Sequence, residues 1–348
     1  MEYRKKILLA IAVLIFIIGG LFSAYVYAAI FGSNTAFEQE QISVYIPSEK
    51  TSGRLSKAIF PLLENSDSFL KVAKQKGYLR QVKGGKYELK KGMSNNDIIN
   101  VLRSKPSTVK LSFNNQERLE DLAGRVSLEI EADSSSLVKV FKEISFLEKQ
   151  GFTLDNALSM YLPNTYDFFW NTSAEGFRNR MLKEYNRFWN VERKALALNL
   201  GLTPLEVSSL AAIVHKESVK IGERPRVAGV YLNRLKANMK LQADPSVIYA
   251  MKKDQNDFNI QIKRVLLKDL ALNSPFNTYK YKGIPPGPIF MPDISAIDAV
   301  LKPERHNYFY FVADTSNFGY HIFSKTLKEH NQNKRQYVKW INSRKIFR

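Results

Sequence analysis

The chain has 348 residues, of which 45% are hydrophobic and 24% charged, a balance typical of folded domains rather than disordered chains. It contains no cysteine, which excludes disulfides, thiol nucleophiles and cysteine-based zinc sites. Its net charge of +19 favours an anionic partner, such as nucleic acid, an anionic membrane surface or an acidic polymer. A basic surface with no specific partner is the alternative, because charge alone does not choose between them.

An uncharged apolar stretch lies near the N-terminus. Residues 7–31 carry no charged side chain and exceed the ~20 residues that a helix needs to cross a bilayer. Arg4 to Lys6 precede this stretch and Glu38 follows it, so the positive-inside rule places residues 1–6 in the cytoplasm and the rest outside. The alternative is a signal peptide cleaved after Val26-Tyr27-Ala28. Either way the remainder is exported, which argues against a nucleic-acid partner.

The next part of the chain predicts a short linker and a small mixed module. Residues 32–41 are polar, and residues 42–115 contain alternating strand patterns separated by helical ones. Ser94 and Asp97 have the spacing of a capping box at a helix start. Residues 116–200 are predicted to form a helical connecting region. Within it, Thr172 and Glu175 predict a second capping box.

The strongest chemical signal is a carboxylate on an apolar helix face. Thr203 to Glu206 form a capping box with proline at the first helical position, and the spacing predicts a helix to about Val219. Glu217 lies three residues after Val214, on the buried stripe of that helix. Burial raises the pKa of a carboxyl and suits it to general acid catalysis. The alternative is a structural ion pair with Arg224 or Arg226.

Seven segments then follow one another in an order that identifies a family. They are Ala212 to Ser218, Glu223 to Leu235, Met239 to Tyr249, Phe276 to Tyr279, Gly283 to Ile289, Tyr308 to Asp314 and His321 to Ser324. In this order they resemble the successive motifs of the endolytic murein transglycosylases, the YceG-like family. Upstream, the string from Gly85 to Ser94 resembles the LysM-like segment that precedes the catalytic domain in that family.

The resemblance implies roles for particular residues. Glu217 matches the catalytic glutamate, while His215 stands where the family often has a second glutamate. The candidate substrate-binding residues are Asn233, Gln242, Asp244, Asn277, Thr278, Tyr279 and Pro286. Of these, Asn233 and Gln242 are also candidate supports for Glu217, and Asp244 before Pro245 is equally well placed as a helix N-cap. Glu223 is a candidate cap for the following helix, and the prolines around Pro286 predict a rigid groove wall.

The resemblance also implies a fold and a function. We expect an α+β protein with an N-terminal transmembrane helix, a LysM-like mixed module over 42–115 and a mixed α+β catalytic domain over 201–348. The expected activity is cleavage of peptidoglycan glycan strands to 1,6-anhydromuramyl ends, at the outer face of the cytoplasmic membrane. Acting on nascent strands, the enzyme would terminate their growth. LysM modules bind N-acetylglucosamine-containing glycans, although this one is equally compatible with a packing role.

No cofactor or metal is expected, because the four histidines lack zinc-ligand spacing and no nucleotide motif occurs. Peptidoglycan synthases are candidate partners. Two other functions fit the same residues. One is a membrane-anchored glycan-binding protein in which Glu217 is structural. The other is a hydrolase that uses water and two carboxylates, Glu217 with Glu223 or Asp244.

Overall fold

The structure is a computed structural model that describes residues 2–48 and 53–343, and its mixture of helices and small sheets confirms the α+β class. The chain divides into two compact units. The first comprises Met1–Leu111, Glu129–Ala132 and Tyr166–Ser173. The second comprises Ser112–Leu128, Asp133–Thr165 and Ala174–Arg348. The boundaries that the sequence suggested at 115 and 200 stay predictions.

The first part of the chain contains four helices and three strands. In order they are α1 (Glu2–Phe31), β1 (Gln41–Ile46), α2 (Arg54–Ile59), α3 (Ser66–Gln75), β2 (Gly85–Lys90), α4 (Asn95–Arg103) and β3 (Thr108–Phe113). Short 3-10 helices lie at Phe60–Leu62 and Tyr78–Arg80.

Helix α1 is 30 residues long, about 45 Å at the rise of an α-helix, and none of its residues is buried. Its most apolar window has a mean hydropathy of 2.8. Among the described residues it is the one unbroken helix long and apolar enough to cross a membrane. Its last turn is bonded to the rest of the first unit, since Asn95 Nδ2 donates to the Ala29 carbonyl at 2.8 Å.

The segment predicted as a linker is built into the first unit. Asn34 and Thr35 are 4% and 6% exposed. Asn34 Nδ2 donates to the Asn65 carbonyl at 2.9 Å and to Asn95 Oδ1 at 2.7 Å. These bonds fix the chain within a few residues of the end of α1.

Strands β1 and β2 form an antiparallel pair that starts with Gln41 opposite Lys90. Alternate residues, among them Val44 and Leu89, point into a core shared with α2, α3 and α4. The Ser94–Asp97 capping box is confirmed, with both of its reciprocal bonds present. The alternation read from the sequence therefore predicted the buried face correctly.

The remaining elements lead to the C-terminus. They are α5 (Leu119–Val126), α6 (Ser134–Phe141), α7 (Ile144–Lys149), β4 (Asn164–Phe169), α8 (Ala174–Phe188), α9 (Val191–Asn199), α10 (Pro204–Glu217), α11 (Arg224–Lys236), α12 (Asp244–Asp254), α13 (Ile294–Leu301), β5 (Tyr310–Ala313), β6 (His321–Ser324) and α14 (Leu327–Ser343). Short 3-10 helices lie at Ala157–Met160, Ile221–Glu223 and Asp269–Ala271. Strands β3 and β4 pair, as do β5 and β6.

The predicted capping box at Thr172 is wrong. Helix α8 begins at Ala174, and the Thr172 hydroxyl donates to the Phe169 carbonyl at 2.6 Å instead. Threonine can bond the chain on either side of it, and here the preceding turn takes the hydroxyl.

Helix α10 forms the centre of the second unit and packs against α11, α12 and α13. It begins at the predicted capping box, in which Thr203 and Glu206 bond reciprocally. Every residue from Val207 to Val214 is buried. The helix ends at Glu217, two residues before the predicted end, because Ser218 is extended (φ −127°, ψ 121°) and its hydroxyl bonds Glu223.

One turn of the proline-rich loop packs against a distant backbone. A Cβ built on Gly287 would lie 1.8 Å from the Asp155 carbonyl oxygen. Glycine is therefore required at position 287, because the two backbone segments approach each other too closely for a side chain.

We expect Gly287→Ala to destabilise the protein by about 2 kcal/mol or more, because backbone must move to admit the methyl group. Gly222→Ala is the matched control, since a Cβ there meets no atom within 4 Å. Thermal unfolding of the full chain in detergent micelles measures both. Equal melting temperatures for the two variants would contradict this packing.

Candidate functional site

Glu217 is the last residue of α10, three residues after the buried run that ends at Val214, and it is half-buried. Its carboxylate Oε1 accepts a hydrogen bond from the Tyr231 hydroxyl at 3.0 Å. Tyr231 lies on α11 and is only 2% exposed, so the bond is shielded from water. The predicted alternative, an ion pair with an arginine, is wrong. Arg224 binds Asp293 at 2.8 Å, and Arg226 binds Glu304 at 2.9 Å.

Burial raises the pKa of Glu217 from its usual 4.5 to about 7. The negative charge of Asp244 also raises this pKa. The hydrogen bond from Tyr231 and the charge of Arg234 oppose the rise without cancelling it. A carboxyl with a pKa near neutrality populates both protonation states, so it can give a proton and take one back.

The Glu217 cavity is a pocket of about 250 Å³ that opens beside this carboxyl. Its lining comes from the end of α10, the β5–β6 hairpin with its connecting loop, and α14. The lining residues are Glu217, Val219, Ala313, Asp314, Thr315, Phe318, Gly319, Tyr320, His321, Tyr337 and Trp340. A cavity with aromatic walls and a few polar groups beside a carboxyl of raised pKa is typical of a ligand site.

A buried glutamate ties the wall of this cavity to the end of α10. Glu223 is 5% exposed, and its Oε2 accepts from the Ser218 hydroxyl at 3.0 Å. It also bonds His321 through the ring Nδ1 at 2.7 Å, and its Oε1 accepts from the His321 backbone N–H at 2.8 Å. Glu223 occupies the N-cap position of α11 as expected, but its side chain makes no cap bond to that helix. Its partners lie too far apart in sequence for spacing to reveal them.

The two predicted amide supports have other partners. Asn233 Nδ2 donates to the carbonyls of His306 and Tyr308 at 2.9 and 3.0 Å, which positions the chain leading into β5. Gln242 is exposed, and its backbone has a φ of 53°, in the left-handed region that is costly for a residue with a side chain. Such backbone strain is common at functional positions. The described bonds of Asn233 do not include Glu217, so Glu217 is supported by Tyr231 instead.

Asp244 and Tyr279 form a pair near the carboxyl. Asp244 is the first residue of α12 and Ala243 occupies the cap position, so the predicted N-cap role of Asp244 is wrong. The Asp244 carboxylate instead accepts from the Tyr279 hydroxyl at 2.6 Å. This bond, together with burial, raises the pKa of Tyr279. The effect of Asp244 on the pKa of Glu217 indicates that the pair faces the same site.

The neighbouring candidates Asn277 and Thr278 are 0% and 2% exposed. Asn277 Nδ2 donates to the carbonyls of Leu270 and Leu272, and Thr278 Oγ1 accepts from the Ala243 N–H at 3.0 Å. These bonds hold the loop, and a direct sugar contact by either side chain would require the loop to open.

Pro286 is exposed between two buried neighbours, Pro285 and Gly287, as a rigid wall requires. Its role as a substrate contact stays a prediction.

His215, the departure from the family pattern, accepts a hydrogen bond from the backbone N–H of Asp293 at 3.3 Å and packs against Phe290. It is not part of the cavity lining.

The sequence reasoning missed the aromatic wall of the cavity. Tyr337 and Trp340 are spaced three residues apart on α14, which a helical reading would have placed on one face. Nothing local in the sequence shows that this face meets the β5–β6 hairpin.

We expect Glu217→Gln to stabilise the folded protein at pH 8 by up to about 3 kcal/mol, with little effect at pH 5. The pKa is higher in the folded state than the usual 4.5, so folding is penalised only once the carboxyl must ionise. The penalty is absent below pH 4.5 and complete above pH 7. Melting temperatures of both proteins at the two pH values test it. If the two proteins differed in melting temperature by the same amount at pH 5 and pH 8, the pKa of Glu217 would not be raised in the folded state.

Comparison with known proteins places the chain in a family. The sequence model of the YceG-like family matches residues 44–336. A protein of Bacillus subtilis strain 168 named endolytic murein transglycosylase is 30% identical over 87% of this chain and 86% of its own length. A protein of the same name from Streptococcus pneumoniae strain R6 is 25% identical over 80% of this chain. That match covers 54% of the streptococcal protein, so this chain spans about half its length.

A solved structure agrees with this placement. A YceG-like protein from Listeria monocytogenes superimposes with a TM-score of 0.56 at 27% identity, covering 85% of this chain and 99% of the other. The family that the ordered motifs indicated is therefore confirmed, and the chain belongs to the YceG-like family.

Proposed function

We propose that this chain is a membrane-anchored lytic transglycosylase that cleaves peptidoglycan glycan strands, with Glu217 as both general acid and general base. The observation that carries the proposal is the Glu217 carboxyl, with a pKa raised to about 7, in an aromatic-walled cavity. Two relatives named endolytic murein transglycosylase support the substrate and the reaction.

The reaction needs one titrating group. Protonated Glu217 donates its proton to the glycosidic oxygen as the bond to the anomeric carbon of the muramyl sugar breaks. The resulting carboxylate takes the proton from the C6 hydroxyl of the same sugar, whose oxygen attacks the anomeric carbon. The product is a 1,6-anhydromuramyl end, and no water is consumed. Glu217 regains its proton, so the enzyme is ready for another turnover.

Tyr231 serves both halves of this cycle. Its hydroxyl donates to Glu217 Oε1 at 3.0 Å, which holds the carboxyl in one orientation. The same bond stabilises the carboxylate after the first proton transfer, which is why it lowers the pKa of Glu217. Without the Tyr231 hydrogen bond, the pKa of Glu217 would be higher still. Protonated Glu217 would then be a weaker proton donor, and its carboxylate a stronger base.

The net positive charge of the chain suits an anionic substrate. Peptidoglycan stems carry carboxylates, and the chain has 52 lysines and arginines against 33 acidic residues. In this proposal α1 anchors the protein in the cytoplasmic membrane with residues 1–6 inside, because Arg4 to Lys6 flank the apolar segment. The anchor keeps the outer units near newly made strands, where cleavage would terminate elongation beside a peptidoglycan synthase.

The LysM-like module is proposed as a second glycan contact. The chain there runs strand, two helices, strand from β1 to β2; residues 85–90 are strand β2, paired with β1, and residues 91–94 lead into α4. If this module binds a glycan strand, it would keep the enzyme on that strand between successive cleavages.

The proposed reaction predicts a defined product. Purified glycan strands incubated with the full chain in detergent micelles should acquire 1,6-anhydromuramyl ends, detected by mass spectrometry. Glu217→Gln should lower the rate by at least about 100-fold, since it removes the proton donor. Glu304→Gln is the matched control, because that carboxylate pairs with Arg226 away from the cavity lining and should leave the rate unchanged.

Two other results would contradict the mechanism. Reducing ends that depend on Glu217 would identify a hydrolase, with Asp244 as the second carboxylate. Strands that bind but stay uncut by the wild type would identify a glycan-binding protein.

A further inference from the structure

Two aromatic rings on α14 form a platform at the Glu217 cavity. Tyr337 and Trp340 lie one helical turn apart, with ring centroids 6.4 Å apart and planes inclined by 22°. Both rings line the cavity that contains Glu217. Helix α14 has no buried residue and packs against β5 and β6. The two rings are half-buried and lie in the wall of the cavity that holds the Glu217 carboxyl.

Two further residues of the cavity lining are apolar and open to solvent. Phe318 is 89% exposed at the tip of the β5–β6 loop, and Val219 is 77% exposed just after Glu217. Side chains of this size are rarely left in water without a reason when they cluster. Here they line the same cavity as the ring pair.

Polar groups also line the cavity. Asp314 and Thr315 line the same cavity, and Asp314 is held by bonds from Ser316 and Asn317. A pyranose ring has matching chemistry. Its axial C–H groups carry positive partial charge and favour the negative face of an aromatic ring, while its hydroxyls at the edge need polar partners.

We propose that Tyr337 and Trp340 form a sugar-stacking subsite that binds the pyranose ring next to the bond cleaved at Glu217. This inference rests on the proposed function, because it takes the ligand to be a glycan strand. The family model ends at residue 336, so the family match itself assigns nothing to these two residues. Continuity with the Glu217 cavity favours a sugar over a separate partner, because any other occupant would block access to the carboxyl.

Binding without cleavage tests the subsite directly. Full-length Glu217→Gln protein in detergent micelles is titrated with purified glycan strands by isothermal titration calorimetry. Adding Trp340→Leu should weaken binding about 5- to 20-fold, because leucine keeps apolar area but removes the flat ring. Adding Trp340→Phe should retain most of the affinity. Val338→Ala is the control on the same helix, since Val338 is 45% exposed and is not part of the cavity lining.

Cleavage is measured separately, with Glu217 intact. Trp340→Leu should raise KM more than it lowers kcat, because the ring holds the strand rather than moving a proton. Circular dichroism and melting temperatures of all variants confirm that the fold is kept. Should Trp340→Leu unfold, Tyr337→Leu against Tyr337→Phe makes the same comparison on the neighbouring ring.

The outcomes separate the two proposals. Strand affinity that is unchanged by loss of either ring overturns the subsite, even if anhydromuramyl ends form as proposed. Affinity that depends on the rings, with no cleavage by the wild type, supports the subsite and overturns the reaction.

Discussion

The site depends on the desolvation of one half-buried carboxyl at the end of an apolar helix. Residues Val207 to Val214 of α10 are all buried, and Glu217 continues their stripe. Ionising a carboxyl there is costly, and burial raises its pKa to about 7. The fold must therefore stabilise this helix well enough to tolerate the cost. The capping box at Thr203 and the packing of α11, α12 and α13 around α10 provide that stability.

The ends of the surrounding elements are fixed by buried polar bonds rather than by more apolar contact. Glu223 joins Ser218 to His321, so the end of α10 and strand β6 move together. Arg224 binds Asp293 at the start of α13, which fixes the first turn of α11. Each of these charged groups has a partner, as burial requires. The result is a rigid frame around the Glu217 carboxyl, a feature that the proposed acid–base chemistry needs.

Local patterns in the sequence predicted local structure well. The capping boxes at Ser94 and Thr203 and the position of Glu217 on a buried stripe all depend on spacing within one element. Predictions failed where a partner lies far along the chain. Thr172 is the exception, because its hydroxyl bonds the carbonyl of Phe169, only three residues earlier. Asp244 pairs with Tyr279, 35 residues later, instead of capping α12. The cavity wall at Trp340 was missed for the same reason, since it exists only where α14 meets the β5–β6 hairpin.

The central claim is that burial holds the Glu217 carboxyl protonated up to near-neutral pH. Carbon-13 NMR titration of the glutamate side-chain carboxyls tests it most directly, with the Glu217 signal assigned by its absence from Glu217→Gln. We expect the Glu217 signal to titrate with a midpoint of about pH 7. A midpoint near the usual 4.5 would mean that the carboxyl is ionised at neutral pH, and Glu217 would then lack the proton that the proposed reaction requires.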